Sequence, residues 1–404
     1  MHVVIVDTTF TTPPTGGAHT FLVDLSTILV SRGWRVSVVS QPGHDQAIGR
    51  ALIEGGAEVT MKLWQRRHLP EEKASRLANW VNRERPDAYV VSASPDVGWL
   101  ALPLLDSSIA TFTIAHNDVG AFYDPLKHYR PFVDCAIGVS EAIHQKIIRD
   151  CGVAVERARQ IPYGVKPISL EQLAERSSEP ERPLAIGYVG RIVQEQKRVL
   201  DFVPLVRDLT NLNVPFQLKI IGDGPDRNDL ERQLKATGVG KDVEFTGWLS
   251  PEKVKTKLAA LDVFLLLSDY EGLPVALLEA MAHGVVPVVT RIESGNTQLV
   301  RDGENGFVLP VGDAAGFATR LESLAGDREA LAALGRAAWE TSKQYSIERM
   351  ADNYAAAFTE VAERVSTRRE REGVGANYPV MNSCRSKYPF WLRRIKQRMV
   401  TLGS

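Results

Sequence analysis

Several things are scarce or missing in this sequence, and each shortage removes a class of protein. Cysteine occurs three times in 404 residues, and Cys135, Cys151 and Cys384 offer no C-x-x-C pair, no metal spacing and no even set for a disulfide framework. A reducing cytoplasm is the expected setting. Long apolar runs are absent too: VFLLL (263–267) is strand-sized, far below the ~18 residues that a membrane span needs. HVVIVD (2–7) begins almost at Met1, so no signal peptide is expected. There is no G-x-G-x-x-G, since Gly187 and Gly190 in GYVG do not supply it, and a nicotinamide-dependent oxidoreductase is thereby disfavoured. No two aspartates are separated by a single residue, so no D-x-D can hold a divalent metal against a diphosphate. The expectation is chemistry without a metal, in which cations and helix amides stabilise departing charge.

Net charge is also nearly missing, at −1, which at first argues against any charged partner, nucleic acid included. The sum hides an asymmetry. Gly373 to Ser404 holds six basic residues (Arg385, Lys387, Arg393, Arg394, Lys396 and Arg398) and no acid, leaving 42 − 49 = −7 for the rest. In KYPFWLRRIKQRMVTL (387–402), Trp391, Leu392, Ile395, Met399 and Leu402 share one helical stripe. Such a stripe either packs on the acidic body or meets an anionic membrane surface, where a lipid-linked acceptor would be in reach.

What is present is an ordinary globular composition, 44% apolar and 24% charged, at a length that suits two to three domains. Short β-branched runs alternate with helical patterns, the signature of parallel sheets covered on both faces. Strands are predicted at HVVIVD (2–7), RVSVVS (35–40), AYVVSA (88–93), ATFTIA (110–115) and CAIGVS (135–140). A polar, proline-bearing segment at 166–183 reads as a linker. The pattern then restarts at LAIGYVG (184–190), FQLKIIG (216–222), VFLLLS (263–268) and VVPVVT (285–290). The predicted fold class is α/β, two facing Rossmann-like doubly wound domains at 1–165 and 184–345 with a cleft between them. A helix at 346–365, with Ser346 as N-cap, would cross back toward the first domain, and 366–404 forms the basic tail.

Chemistry concentrates in DYEGLPVALLEAMAHGVVPVVT (269–290). Backbone N–H groups of Gly272, Leu273 and Val275 would open a helix, with Pro274, which has no N–H to leave unpaired, in its first turn, and make an anion site suited to phosphate. Glu271 precedes this helix and Glu279 lies on it; either alone reads equally as a helix-terminal acid or a solvated face, but together they suit sugar hydroxyls, which carboxylates accept well. In GRIVQEQKR (190–198), Arg191 and Lys197 follow a strand, where a forked guanidinium and a mobile ammonium grip a diphosphate. Gly16 and Gly17 open the first helix and allow either a close backbone approach or a tight turn. His116 ends a strand at the cleft, a placement that structural histidines share.

These motifs resemble the family-four retaining glycosyltransferases of the GT-B fold, over about residues 1–365. VGRIVQEQK (189–197), IIGDGP (220–225), FTGWLSPEKV (245–254) and EGLPVALLEAMAHGVVPVV (271–289) stand in that family's order. The resemblance implies that Arg191 and Lys197, in the loop after Gly190, bind the donor diphosphate. Glu271 would hold donor-sugar hydroxyls beside the amides of Gly272 to Val275, and Glu279 the ribose. Gly222, Trp248 and Leu249 would lie near the base, Gly16 and Gly17 near the diphosphate, and His116 beside the sugar where the acceptor enters. A nucleoside diphosphate sugar is the implied co-substrate, UDP favoured over GDP or ADP, with no other cofactor and no metal; the acceptor is not specified. Transfer with retention would serve glycan, glycolipid or glycosylated-metabolite biosynthesis. A sugar-nucleotide epimerase of the same architecture and a non-catalytic nucleotide-binding scaffold are the rival readings. Two departures stand out: Ser294, Gly295, Asn296, Thr297 and Gln298 replace a G-G-I-P-E pattern, and Tyr163 in IPYGV (161–165) stands where asparagine is common.

Overall fold

The computed structural model describes residues 1–8, 16–41, 46–65, 67–94, 96–174 and 182–368. All of the basic tail beyond residue 368, Cys384 included, and part of the 166–183 segment lie outside the described residues, as does the Thr- and Pro-rich stretch at 9–15.

Seven parallel strands form the first sheet: β1 (His2–Val6), β2 (Arg35–Val39), β3 (Glu58–Thr60), β4 (Ala88–Val91), β5 (Ala110–Ala115), β6 (Cys135–Gly138) and β7 (Ala158–Gln160), in the order β3-β2-β1-β4-β5-β6-β7. Six form the second: β8 (Leu184–Val189), β9 (Phe216–Ile221), β10 (Val243–Gly247), β11 (Val263–Leu266), β12 (Val286–Thr290) and β13 (Phe307–Leu309), in the order β10-β9-β8-β11-β12-β13. Most central strands are buried along nearly their whole length, as Val3 to Val6 and Val263 to Leu266 illustrate, because helices cover both faces; β9, next to an edge, leaves Gln217 exposed. All nine predicted strands form. The four not anticipated, β3, β7, β10 and β13, are the four sheet edges. An edge strand has one neighbour and a half-exposed face, so β3 reads Glu-Val-Thr and carries no apolar run to recognise.

The 166–183 segment is not simply a free linker. Ile168 is held by its N–H to the Ala282 carbonyl (3.0 Å) and by its carbonyl to the Trp339 indole (2.9 Å), and Leu170–Ala174 is helical. The chain passes between the two sheets twice, side by side. Val165 donates to the Tyr345 carbonyl (2.8 Å) and accepts from Ile347 N–H (3.2 Å), and a Cβ on Gly164 would lie 2.5 Å from Ile347 Cα. Only glycine permits that approach. From this crossing the Ile347–Val365 helix, capped by Ser346 Oγ accepting from Arg349 N–H (3.1 Å), runs over the first sheet, with Phe358 edge-on to Phe112 and Tyr354 against Phe21. Just past its end, Arg368 forks onto buried Asp134, at 2.6 and 3.1 Å.

Candidate active site

Because all strands of each sheet are parallel, the loops leaving their C-terminal ends emerge on one side. In each sheet the strand order reverses once, between β1 and β4 and between β8 and β11, and a crevice opens there. Arg191 leaves β8, Glu271 leaves β11, Gly16 and Gly17 follow β1, and His116 follows β5. The chain thus places these site candidates at or beside the two switch points, although they are scattered over some 260 positions.

On the second sheet the polar residues tie one loop to the next. Lys197 Nζ lies 2.5 Å from Glu271 Oε1, with side-chain exposures of 14% and 6%, and Ser268 Oγ donates to the same oxygen (2.6 Å). Thr290 Oγ1 in turn donates to the Ser268 carbonyl (2.6 Å), so the carboxylate is held from β11 and β12 together. Arg191 Nη2 donates to Gln196 Oε1 (3.0 Å), and buried Gln196 donates to the Tyr270 carbonyl (3.2 Å). The arginine is exposed, and its guanidinium is steadied by that glutamine. Gln196 and Ser268 carried no signal in the sequence, since a glutamine and a serine beside charged motifs look like ordinary surface residues.

Two glycines make this edge compact. Gly222, at φ 138°, would drive a Cβ to 2.0 Å from the Gly190 carbonyl, and a Cβ on Gly190 would lie 2.8 Å from the Tyr188 hydroxyl. Trp248, just after β10, is 42% exposed, and half-buried Leu249 follows it.

The Val275–Ala282 helix begins one residue later than expected: Pro274 is its N-cap, at φ −72° and ψ 108°, outside the first turn. The missing N–H still costs nothing there. Facing this terminus is the first domain. A Cβ on Gly17 would meet Val275 Cγ2 at 2.3 Å, and one on Gly272 would meet the His116 carbonyl at 2.2 Å. Gly16, at φ 111°, caps the Gly17–Ser31 helix in a conformation that suits glycine. Both the turn and the close approach are therefore real.

His116 is buried, and both ring nitrogens are engaged: Nε2 with Ser92 Oγ (2.8 Å) and Nδ1 with Tyr163 Oη (2.6 Å). Burial, reinforced by the His19 charge, lowers its pKa to about 3, so the imidazole is neutral. It presents its backbone carbonyl to Gly272 rather than a cation to a phosphate. Tyr163, the departure from asparagine, is what reaches it. The other departure also has a structural outcome: Ser294 Oγ accepts from Asn296 N–H (3.1 Å), Gly295 donates to the Gly272 carbonyl (2.8 Å), and Gln298 Oε1 accepts from Glu141 N–H of the first domain (2.9 Å). Glu279 is half-buried on the Val275–Ala282 helix, and burial, with Asp24 adding and Lys255 opposing, raises its carboxyl to about 7.

Two doubly wound domains that touch through glycines at a crevice rich in cations, helix amides and carboxylates define a transferase of the GT-B architecture. The comparisons with known proteins agree. The family described as Glycosyltransferase Family 4 matches residues 15–167, and that described as Glycosyl transferases group 1 matches 171–341. The chain is 28% identical over 342 residues to the lipopolysaccharide core biosynthesis glycosyltransferase LpsE of Rhizobium meliloti, covering 84% of this chain and 94% of that protein. It is 34% identical to the sulfoquinovosyl transferase SQD2 of Arabidopsis thaliana, covering 77% of this chain and 64% of that one. Among solved structures, a glycosyltransferase from Rickettsia africae superposes with a TM-score of 0.72 at 15% identity, over 89% of this chain and 98% of that one. Anabaena HepE in complex with UDP and glucose does so at 0.72 and 18% identity, over 89% and 100%. The chain belongs to the family-four glycosyltransferases and has their GT-B fold: it is a glycosyltransferase.

Proposed function

We propose that this enzyme moves a sugar, with retention and without a metal, from a nucleoside diphosphate sugar to an acceptor hydroxyl in glycan, glycolipid or glycosylated-metabolite biosynthesis. The observation that carries the reading is the Lys197–Glu271 pair, buried at the switch point of the second sheet and braced by Ser268. There an ammonium able to hold a diphosphate stands beside a carboxylate able to accept sugar hydroxyls, one residue before Gly272 meets the first domain. UDP is the proposed nucleotide, supported by fold neighbours described in complex with UDP or UDP-glucose.

In this mechanism Arg191 and Lys197 take the diphosphate, with the amides of Gly272 to Val275 facing its charge. Glu279 receives the ribose, and Trp248 with Leu249 borders the base. As the bond from the anomeric carbon to phosphate oxygen breaks, the acceptor oxygen bonds to that carbon from the same face, and its proton passes to the departing phosphate oxygen. His116, neutral and held between Ser92 and Tyr163, lies beside the sugar on the first-domain side, where the acceptor enters. Domains 1–165 and 184–345 close about the double crossing at Val165 and Ser346, excluding water.

No helix among the described residues is long and apolar enough to cross a membrane. The proposed setting is the cytoplasm, with the basic tail reaching an anionic membrane; liposome sedimentation of the full chain against one ending at Gly373 tests that part, and equal binding removes it. The donor assignment is tested by incubating the protein with radiolabelled UDP-, GDP- and ADP-sugars, with and without saccharide and lipid-linked acceptors. Labelled product with the anomeric configuration of the donor supports the proposal. Inverted product, or epimerised donor without transfer, overturns it.

A further inference from the structure

Asp24 is a carboxylate that no motif picks out. It sits on the Gly17–Ser31 helix, seven residues after the glycine that meets Val275, and at 3.6 residues per turn it returns to that same face. On the opposite helix Glu279 lies four residues past Val275 and shares its face. The two acids therefore approach along one contact between helices of different domains. Lys255, on the Pro251–Ala259 helix, is the cation whose charge reaches both.

Burial raises Asp24 to about 6 and Glu279 to about 7, with the Asp24 charge adding to the rise at Glu279. Neither side chain has a hydrogen bond or an ion pair among the described residues. Once both are ionised, above about pH 7, a single lysine cannot neutralise two carboxylates, and the contact carries one negative charge in excess and is short of donors. A further anion would worsen that balance. Uncharged donors in pairs, such as vicinal hydroxyls, would satisfy both carboxylates without adding charge.

We propose that Asp24 and Glu279 form a clasp across the two domains for the vicinal hydroxyls of the donor's ribose, which makes Asp24 a donor-binding residue. This rests on the reading of Glu279 as the ribose contact. Domain closure and nucleotide binding are then coupled, because the ribose relieves a repulsion that closure itself creates.

The test is a binding cycle by calorimetry, using full-length wild type, Asp24→Asn and Glu279→Gln, each with UDP and with 2′,3′-dideoxyuridine diphosphate. Asp24→Asn is expected to weaken UDP about tenfold or more, as loss of a hydrogen bond to a charged group does. The dideoxy nucleotide should bind Asp24→Asn at least as tightly as wild type, because the substitution removes the repulsion and there is no ribose contact to lose. Each variant is compared with itself on two nucleotides, so a folding defect cancels. If Glu279→Gln weakens UDP but Asp24→Asn does not, or if Asp24→Asn weakens both nucleotides equally, the clasp is overturned and the ribose reading stands. If neither variant matters and the dideoxy nucleotide binds wild type as well as UDP does, the ribose reading fails with it.

Discussion

The two sides of the cleft solve different problems with different materials. On the second-domain side the loops after β8 and β11 carry charge, and each charged group is braced: Lys197 by Glu271, Glu271 by Ser268, Arg191 by Gln196. On the first-domain side the contact is made by shape. Gly17 and the His116 carbonyl meet Val275 and Gly272, and the His116 ring beside them is buried and neutral. The lesson is that one domain holds charged groups already oriented by their neighbours, as the proposed departure of an anion requires, while the other supplies a surface that seats against it.

The sharpest way to break this contrast is Lys197→Ala. Losing a charge-stabilising donor should cost about 10²–10³-fold in turnover. Because Glu271 is left buried without its partner, melting temperature should also fall while the fold survives. Near-normal turnover would end the electrostatic assignment. Gly272→Ala probes the opposite face: its Cβ would strike a backbone carbonyl, so turnover should fall about 10²-fold through misplacement, with stability close to wild type. An equal fall in melting temperature would show that the glycine serves only its own domain.

A smaller effect is expected from His116→Gln. The ring titrates far below neutrality, so the variant should lower turnover without altering the shape of the pH–rate profile between pH 5 and 8; an inflection present only in wild type would return a cationic histidine to the mechanism. The smallest effect is on stability. Glu279 keeps its proton up to about pH 7 in the folded protein, whereas the unfolded chain releases it in the ordinary carboxylate range. Stability contributed by this group therefore falls as pH rises through that window and is lowest above it. Glu279→Gln should raise the melting temperature at pH 8 by about 2–4 °C while weakening nucleotide binding. No rise would mean that the carboxylate is better solvated than its burial implies.

Much of this was legible in the chain itself. Buried central strands advertise themselves as uninterrupted apolar runs, and their alternation with helical patterns dictates parallel sheets. Arg191, Lys197, Glu271 and Glu279 were visible because charges next to a strand end or helix start are chemically conspicuous. The bracing residues were not. Gln196, Ser268, Ser92 and Tyr163 act through partners up to 74 positions away, and nothing local distinguishes them from surface or core. The edge strands escaped for a related reason, since half-exposed segments need no apolar signature.

The sequence by itself determined the fold class, the two-sheet plan and the identity of the charged groups, because those follow from local periodicity and residue chemistry. Only the tertiary structure decided that Lys197 and Glu271 are one unit, that His116 is held neutral between Ser92 and Tyr163, and that Gly17 and Gly272 are glycines because another domain leaves no room for a side chain. Proximity between distant segments, and the burial that comes with it, is set by packing, and packing sets both the charge state of a side chain and the space around it.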